Sequence, residues 1–293
     1  MDKAQIPSLV VVGARSRAGR AILSAWPGPT VAIHRGDRNA SGVAVSDYTI
    51  ALPDAIPRGS VVVNCVGSPR GDAATLAHVN HEVPIAWAHA ARTAGAKHFI
   101  QLSSFAVYGR VDTIDCTTSE RPDTHYGRSK LAADQELLEL CGHAMLGLTI
   151  ARIPMLFGGG SDKLSQIASL VRRTRTVPQV RPPISRAMLG YDALAAAIVT
   201  LAHTPVEGIV LLCDPTPFSY ELMATRFEHA VGKPLHRLAI PRPATSLIRT
   251  LAPQLHARLL ASSHVSHSAR YVFPMPPGAS LTEALDRLAK PAP

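Results

Sequence analysis

The feature that most constrains the fold is a repeated alternation of short apolar runs with stretches of helical length. Ser8–Val12 reads SLVVV, ends at Gly13 and precedes the helical AILSAW; Ser60–Cys65 reads SVVVNC and precedes the alanine-rich Leu76–Thr93. Runs that are apolar at consecutive positions are typical of parallel strands buried on both faces. The alternation therefore predicts an α/β protein with a Rossmann-type doubly wound parallel sheet, whose ligands bind at the carboxyl ends of the strands.

The remaining elements extend this pattern along the chain. We predict strands at Thr30–Ile33, Val43–Val45, His98–Leu102, Leu148–Ile153 and Ile209–Cys213, and helices at Tyr126–Leu140, Leu164–Arg173, Asp192–Leu201, Tyr220–Val231 and Leu281–Leu288. Asp123 or Thr124 is the candidate N-cap of the Tyr126 helix, and Gly232 is the stop signal of the Tyr220 helix.

We divide the chain into two expected domains. Residues 1–160 form the dinucleotide-binding domain, with segments near 187–215 rejoining it, and most of residues 161–293 form a small α-rich C-terminal substrate domain. The basic, amphipathic stretch Ala244–Leu260 is by default a helix of that small domain. A lid, an oligomer surface and a membrane-surface helix are its alternatives.

Composition narrows the class of protein. The chain is 46% hydrophobic and 17% charged, and its four cysteines are scattered without a CxxC pair, so we expect a globular cytoplasmic protein without a metal site or disulfide framework. Residues 1–8 lack the apolar core of a signal peptide, and no apolar run is long enough to span a membrane. The net charge of +9 reflects either arginine-rich genome bias or anionic ligands such as nucleotide phosphates. Without a basic block interleaved with aromatics, nucleic acid is not an expected partner.

The first turn, GARSRAG, has the context of a dinucleotide fingerprint, since it lies between a strand and a helix. Gly13 permits the tight turn, Gly19 lets the helix pack close to the strand, and the N–H groups at the helix start would receive a pyrophosphate. Ser16 stands where the fingerprint has its middle glycine, so a plain strand-to-helix turn remains the alternative.

The end of the second strand bears on the choice of cofactor. An acidic residue that binds the ribose diol is common here, but this chain has His34 and Arg35, with Arg15 and Arg38 expected nearby. Guanidinium groups suit a 2′-phosphate, which favours NADP(H), whereas Asp37 keeps NAD(H) open. Exposed loop arginines are the non-functional interpretation.

Tyr126 and Lys130 are four residues apart at the start of a predicted helix, so their side chains share one face. Ser104 follows the fifth strand. An ammonium group and a helix N-terminus both favour a phenolate, and we expect Lys130 to lower the pKa of Tyr126 toward neutrality, so that it can exchange a proton with a carbonyl or alcohol. A solvated helix face is the alternative explanation.

Taken together, these segments resemble the extended short-chain dehydrogenases/reductases, also called the NAD-dependent epimerase/dehydratase family. The resemblance is strongest from about residue 8 to 160 and is carried by VVGARSRAG, NCVG, VNHEVPIAWAHAARTAGAKHFIQLSS, FAVYG, YGRSKLAAD and ARIPMLFGGG. Their joint order is specific, whereas each piece alone is not.

The resemblance implies roles for individual residues. Ser104, Tyr126 and Lys130 would be catalytic, with Lys130 also holding the nicotinamide ribose. The resemblance also implies that Asn64, Gly67 and Asn80 lie near the cofactor or support the site. Together with the residues of the glycine turn and of the strand ends, the expected contacts of the NADP(H) or NAD(H) cofactor are Gly13, Arg15, Ser16, Ala18, Gly19, His34, Arg35, Asp47, Asn64, Val66, Gly67, Asn80 and Ile153. Apart from the resemblance, we expect Ser103, Phe105 and Arg186 to contact the substrate.

The resemblance also implies a nucleotide-sugar substrate bound between the sheet domain and the smaller C-terminal portion. The family's 4,6-dehydratases carry an Asp-Glu pair after the catalytic Ser or Thr, and this chain has Phe105–Ala106 there. Dehydration therefore has no evident acid and base, which favours 4-epimerisation or 4-keto reduction.

Three questions stay open from the sequence. Five arginines between residues 172 and 186 are either a solvated basic face or, for one or two of them, a diphosphate clamp with Arg186 as the best candidate. A catalytically idle, cofactor-sensing regulatory protein on the same fold is the alternative function. A homodimer is one oligomeric state left open.

Overall fold

The computed structural model describes residues 6–36, 41–142, 145–160, 162–241 and 262–290, together with residues 243, 247, 250 and 251. Its first half alternates strands with helices: β1 (Leu9–Val12), α1 (Arg17–Ala25), β2 (Thr30–Arg35), β3 (Val43–Val45), β4 (Val61–Asn64), α2 (Ala73–Ala77), α3 (Val83–Thr93) and β5 (His98–Ser104). Short 3-10 helices lie at Pro53–Ala55 and Phe105–Tyr108, and a π-helical turn, His78–Glu82, joins α2 to α3.

The second half continues with a longer helix and shorter strands. Its elements are β6 (Thr113–Ile114), α4 (His125–Gly142), β7 (Gly147–Ile153), β8 (Met155–Phe157), α5 (Lys163–Thr174), β9 (Thr176–Val180), β10 (Met188–Gly190), α6 (Tyr191–His203), β11 (Gly208–Leu211), α7 (Tyr220–Val231), β12 (His236–Ile240), β13 (His264–Val265) and α8 (Leu281–Ala289).

Seven strands form one parallel sheet in the order β11-β7-β5-β4-β1-β2-β3. The chain order reverses beside β1, where β2 and β4 lie on its two sides. Such a switch point opens a crevice at the carboxyl ends of the strands. The predicted doubly wound parallel sheet is therefore confirmed, and the turn after β1 lies at the crevice.

Side chains of β1 alternate between two cores on opposite faces of the sheet. Leu9 and Val11 pack with Ile22 of α1 and with apolar residues of α6, whereas Val10 and Val12 pack with Trp87 of α3. Because helices cover both faces, the central strands β1 and β4 are buried at every position, which explains their uninterrupted apolar runs.

A third core lies among the later elements, where Leu164 of α5, Phe227 of α7 and Leu285 of α8 pack together. This part is not purely helical, since β8 pairs with β10 and β9 with β12. Helix α7 has the predicted bounds and ends at Gly232, whose φ of 68° is left-handed. That this part forms a domain for substrate stays a prediction.

Some predictions fall on residues outside the described ranges. Asp37 and Arg38 are among them, as is most of the segment 244–260. In the described ranges, no helix combines the length and the apolar character needed to cross a membrane.

Candidate active site

The three predicted catalytic residues come from two adjacent elements. Ser104 ends β5, and Tyr126 and Lys130 lie on the first turns of α4. Thr124, one of the two predicted caps, accepts a hydrogen bond from the Gly127 N–H on its Oγ1 atom over 3.0 Å. The Ser104 hydroxyl is a hydrogen-bonding neighbour of the Tyr126 hydroxyl. The fold thus brings the end of a strand and the start of a helix together, and each contributes one hydroxyl group to the pair.

The protonation of Tyr126 differs from our prediction. Burial of the phenol raises the pKa of Tyr126, the Ser104 hydrogen bond opposes that rise, and the carboxylate of Asp134 adds to it. Lys130 is not among the groups that shift this pKa. The prediction that Lys130 lowers the pKa of Tyr126 is therefore wrong for this structure.

Lys130 instead bonds the backbone of strand β5. Its side chain is 2% exposed, and its Nζ donates a 2.7 Å hydrogen bond to the carbonyl oxygen of Leu102. Burial lowers the pKa of Lys130 to about 8, although Asp134 and Cys65 oppose that shift. The ammonium nitrogen also lies 4.0 Å from the point where a Cβ on Gly67 would stand. A side chain at position 67 would therefore stand in van der Waals contact with this lysine.

The glycine turn is built as the fingerprint requires. Gly13 has a φ of +83°, and a Cβ there would lie 2.9 Å from Val66 Cγ2. A Cβ on Gly19 would lie 2.5 Å from the Gly13 carbonyl oxygen. Ser16 is the N-cap of α1 and accepts from the Gly19 N–H over 2.9 Å. The serine that departs from the fingerprint thus satisfies one of the free N–H groups of the helix start.

A cleft of about 380 Å³ opens beside this turn. Six residues of the predicted cofactor set line it, namely Gly13, Ser16, Arg35, Asp47, Val66 and Gly67, together with Tyr48, Cys65, Ser68, Thr75, His78, Val79 and Val83, which we did not predict. Ala18, like Gly19, is buried inside α1 and is not among the lining residues. The cleft lies where the switch point of the sheet predicts a ligand.

Two arginines lie near each other here, Arg35 at the end of β2 and Arg15 in the glycine turn. Arg35 is exposed and lines the cleft, and its backbone N–H donates to the Tyr48 hydroxyl over 3.1 Å. The Arg15 guanidinium lies 3.5 Å from the position of a Cβ on Gly36, the next residue after Arg35. Arg35 can therefore reach a ligand in the cleft, and Arg15 lies near the backbone that follows Arg35.

His34 does not share this position. It is 1% exposed, it is not among the residues that line the cleft, and neither of its ring nitrogens has a hydrogen-bond partner. Because successive side chains of a strand point to opposite faces, the His34 side chain is buried whereas Arg35 reaches the cleft. The structure therefore gives no support to a cofactor contact by His34.

Asp47 is held by its own loop and by His78 of the π-helical turn. Its Oδ1 accepts from the Thr49 N–H and hydroxyl, each over 2.8 Å, and His78 Nε2 lies 3.2 Å from the carboxylate. The Thr49 hydrogen bonds lower the pKa of Asp47 to about 2. Glu82 and then Asp47 raise the pKa of His78. Asp47 therefore gives the cleft an anionic side chain on the loop that follows β3.

Two buried asparagines support the cleft from behind. Asn64 donates to Gln101 Oε1 over 2.9 Å and accepts from the Val66 N–H. Asn80 bonds both the N–H and the carbonyl of Ser68 and also donates to Ser129 Oγ. The π-helical turn orients Asn80 in this way, so both asparagines hold the loop after β4 in place. Their predicted cofactor role stays indirect in this geometry.

The predicted substrate contacts lie in different environments. Ser103 is buried and donates to Asp134 over 2.8 Å, so its hydroxyl points into the protein. Phe105 is buried in a cluster that also contains Ala187, the neighbour of Arg186. Arg186 bonds Phe218 through both backbone groups, over 2.9 and 2.7 Å, and its guanidinium interacts with Tyr220. None of the three lines the cleft beside the glycine turn, and their roles as substrate contacts stay predictions.

A buried charged cluster behind the hydroxyl pair was missed by the sequence analysis. Arg152 donates to Asp134 over 3.0 Å, to Tyr108 over 2.9 Å and to Glu120 over 2.5 Å. Ile153, the predicted cofactor contact next to Arg152, lies opposite Ser104 in the β5–β7 register. The available signal was spacing, because Asp134 follows Lys130 by four residues and shares its helix face. In the described part of the chain, no group of three or more His, Cys, Asp or Glu side chains is placed to hold a metal ion.

Known proteins share this architecture. UDP-glucose 4-epimerase of Vibrio cholerae is 26% identical over 223 residues, which is 70% of this chain and 65% of that protein, so the chain spans slightly less than two thirds of this relative. UDP-glucuronic acid 4-epimerase of Bacillus cereus, solved with NAD, superposes with a TM-score of 0.70 at 15% identity over 95% of this chain and 96% of that one. RMD of Pseudomonas aeruginosa, solved with NADPH, gives a TM-score of 0.68 at 17% identity over 97% and 98% of the two chains. At these identities the two structures show the shared fold.

The family model decides membership. The model of the NAD dependent epimerase/dehydratase family matches residues 9–183, which include the glycine turn, the hydroxyl pair and Lys130. Its description names NAD, in agreement with the predicted NADP(H) or NAD(H) cofactor. This chain therefore belongs to the NAD dependent epimerase/dehydratase family, as its sequence pattern predicted.

Proposed function

We propose that the protein is an NAD(P)-dependent oxidoreductase that reduces or epimerises a nucleotide sugar at C4. The observation that carries the proposal is the Tyr126–Ser104 hydroxyl pair at the carboxyl end of β5. Similarity to UDP-glucose 4-epimerase of Vibrio cholerae supports the substrate class.

In this proposal the residues of the cleft hold a dinucleotide and Tyr126 moves the proton. The N–H groups at the start of α1 face the pyrophosphate, while Arg35 and Arg15 face the adenosine ribose. When bound, the nicotinamide group supplies or accepts a hydride. Tyr126 gives its proton to the C4 oxygen as the ketone becomes an alcohol and takes it back in the reverse direction, while Ser104 hydrogen-bonds the same oxygen. The raised pKa of Tyr126 suits the donating role.

The residues after Ser104 bear on the type of reaction. Phe105 is buried, and Ala106 donates its backbone N–H to Ser104 Oγ. Because these residues are a phenylalanine and an alanine, neither position offers a carboxylate. An elimination at C5 and C6 would need an acid and a base beyond Tyr126. Hydride and proton transfer at a single carbon need only the groups already named, which supports 4-epimerisation or 4-keto reduction.

The first test is the identity of the retained nucleotide and the reaction it supports. We expect mass spectrometry of the denatured protein to find NAD(H) if the protein is an epimerase. We expect an empty protein that accepts NADPH if it is a reductase. UDP-glucose with added NAD, and a 4-keto nucleotide sugar with NADPH, are the matching assays.

The second test separates the enzyme from its alternative, a cofactor-sensing regulatory protein. Tyr126→Phe should abolish turnover and keep dinucleotide binding, while Tyr191→Phe, at the start of α6, should keep both. A protein that binds the dinucleotide but turns over neither substrate class would favour the regulatory alternative. Cytoplasmic location and a homodimer also stay predictions.

A further inference from the structure

The side chain of Asp134 connects the helix that carries Tyr126 and Lys130 to two strands of the sheet. It follows Lys130 by one helical turn and Tyr126 by two, so the three side chains share one face of α4. Its Oδ2 accepts from Ser103 Oγ over 2.8 Å and from Arg152 Nε over 3.0 Å. Ser103 directly precedes Ser104, so one carboxylate oxygen ties α4 to both β5 and β7.

Arg152 extends these contacts to the segment that separates Ser104 from Tyr126. Its remaining nitrogens donate to the Tyr108 hydroxyl and to Glu120, and its guanidinium carbon lies 5.0 Å from the centre of the Tyr108 ring. The Arg152 and Asp134 side chains are 2% and 1% exposed. Every segment that carries a proposed catalytic residue is therefore joined to this one buried ion pair.

We propose that Asp134, held in place by Arg152 and Ser103, is a positioning residue that keeps Lys130 protonated and docks the Tyr126–Lys130 face of α4 against the end of β5. This inference rests on the proposed function, because it assigns Tyr126 and Lys130 to proton transfer. Asp134 itself is enclosed by protein and is placed to act only through these neighbours.

The charges around Lys130 and Asp134 support this role. Lys130 faces Cys65 at the end of β4 and Asp134 on α4, and its Nζ bonds Leu102 of β5. Asp134 faces Arg152 of β7, Ser103 of β5 and Lys130 itself. The outer members of the cluster, Glu120 and Tyr108, contact Arg152 rather than Lys130. Burial alone favours a neutral lysine, and the carboxylate of Asp134 is the largest contribution that opposes it.

The test measures protonation directly and needs no substrate. Carbon-13 NMR of labelled lysine and tyrosine side chains follows the titration of Lys130 and Tyr126, whose signals are assigned from Lys130→Met and Tyr126→Phe. In Asp134→Asn, we expect the pKa of Lys130 to fall below its present value of about 8, because the opposing carboxylate is gone. The pKa of Tyr126 should also fall, since Asp134 raises it. If Asp134 only docked the helix, its loss would expose Lys130 to water and raise the pKa of Lys130 instead, which would contradict the proposal.

Two further variants make the result decisive. Glu136 lies on the same helix, and its carboxylate pairs with His81 over 2.6 Å. Glu136→Gln removes that carboxylate and should leave the pKa values of Lys130 and Tyr126 unchanged. Asp134→Asn with Arg152→Gln removes both members of the buried ion pair, which avoids an unpaired buried cation if the single variant does not fold. It should show the same falls.

Unchanged Lys130 and Tyr126 titrations in a folded Asp134→Asn protein, or in the double variant, would overturn the proposal. A Tyr126→Phe protein with full turnover would instead reject the proposed catalytic mechanism and leave the titration result standing. The two failures are therefore distinguishable.

Discussion

Lys130 Nζ donates a 2.7 Å hydrogen bond to the carbonyl oxygen of Leu102, two residues before Ser104. The helix that carries Tyr126 is thereby attached to the strand that carries its hydroxyl partner. The bond holds a buried ammonium group whose pKa is lowered to about 8. Lys130 thus combines a structural contact with an unusual protonation equilibrium, and the equilibrium has a measurable consequence for stability.

Stability should rise with pH on account of Lys130. The pKa of this lysine is lowered by burial from 10.5 to about 8 in the folded protein, a difference of 10.5 − 8 = 2.5. Between these values the unfolded chain binds the proton and the folded protein does not, so the free energy of unfolding increases with pH through that window. We expect wild type to gain up to roughly 3 kcal/mol relative to Lys130→Met between pH 7 and pH 11.

Urea denaturation of both proteins at a series of pH values measures this difference. The comparison removes contributions from other groups that titrate in the same range. Parallel stability curves for wild type and Lys130→Met would contradict a lowered lysine pKa.

Arg35 should determine the preference for a 2′-phosphate. It is exposed, it lines the cleft, and its backbone N–H bonds the hydroxyl of Tyr48. A charge-assisted hydrogen bond is worth about 1.5–3 kcal/mol, so Arg35→Ala should weaken NADPH binding about tenfold to a hundredfold and change NADH binding little.

Fluorescence titration with both dinucleotides checks this preference. Arg58→Ala is the matched control, because Arg58 packs against Gly95 before the start of β4 and should leave both affinities unchanged. Equal affinities of wild type for NADPH and NADH would count against the assignment and favour an epimerase that retains NAD.

Gly13→Ala should destabilise the protein beyond the cost of its backbone conformation. Gly13 and Gly208 have similar φ values, +83° and +88°, but only a Cβ on Gly13 meets other atoms, with Val66 Cγ2 at 2.9 Å and nothing within 4 Å of Gly208. Both alanine variants carry the left-handed strain, and Gly13→Ala adds an overlap that costs about 1–3 kcal/mol. Equal losses in the free energy of unfolding for the two variants would show that the turn can relax around Val66.

Asn80→Ala should loosen the loop that follows β4. Its side chain makes three hydrogen bonds, two to the Ser68 backbone over 2.8 and 2.9 Å and one to Ser129 Oγ over 3.1 Å. Removing them leaves the partly buried backbone groups of Ser68 and the buried Ser129 hydroxyl without these bonds, and we expect a loss of roughly 2–4 kcal/mol of unfolding free energy. Ser68→Ala spares the backbone bonds and should cost less than about 1 kcal/mol. Thermal and urea unfolding of both variants measures the two losses in unfolding free energy. Equal losses for Asn80→Ala and Ser68→Ala would contradict this prediction.

The sequence alone determined the elements whose signal is local. The apolar runs of β1 and β4, the glycine turn and the bounds of α7 with Gly232 at its end were all predicted from residues within a few positions of each other. The parallel direction of the strands was predicted from the alternation of strands and helices, because such an alternation builds a sheet with helices on both faces. The spacing of Tyr126 and Lys130 placed both on one helix face, as the structure has them.

Only the tertiary structure decided which polar groups meet. Asp134 bonds Ser103 and Arg152, and Lys130 bonds Leu102, across 31, 18 and 28 residues of chain respectively. No local pattern encodes these partners, since strand order and helix rotation bring them together. The same physics explains the wrong prediction for Tyr126: the sequence showed a cation nearby, but the pKa depends on burial and on the direction in which Lys130 points, and both are properties of the packed fold.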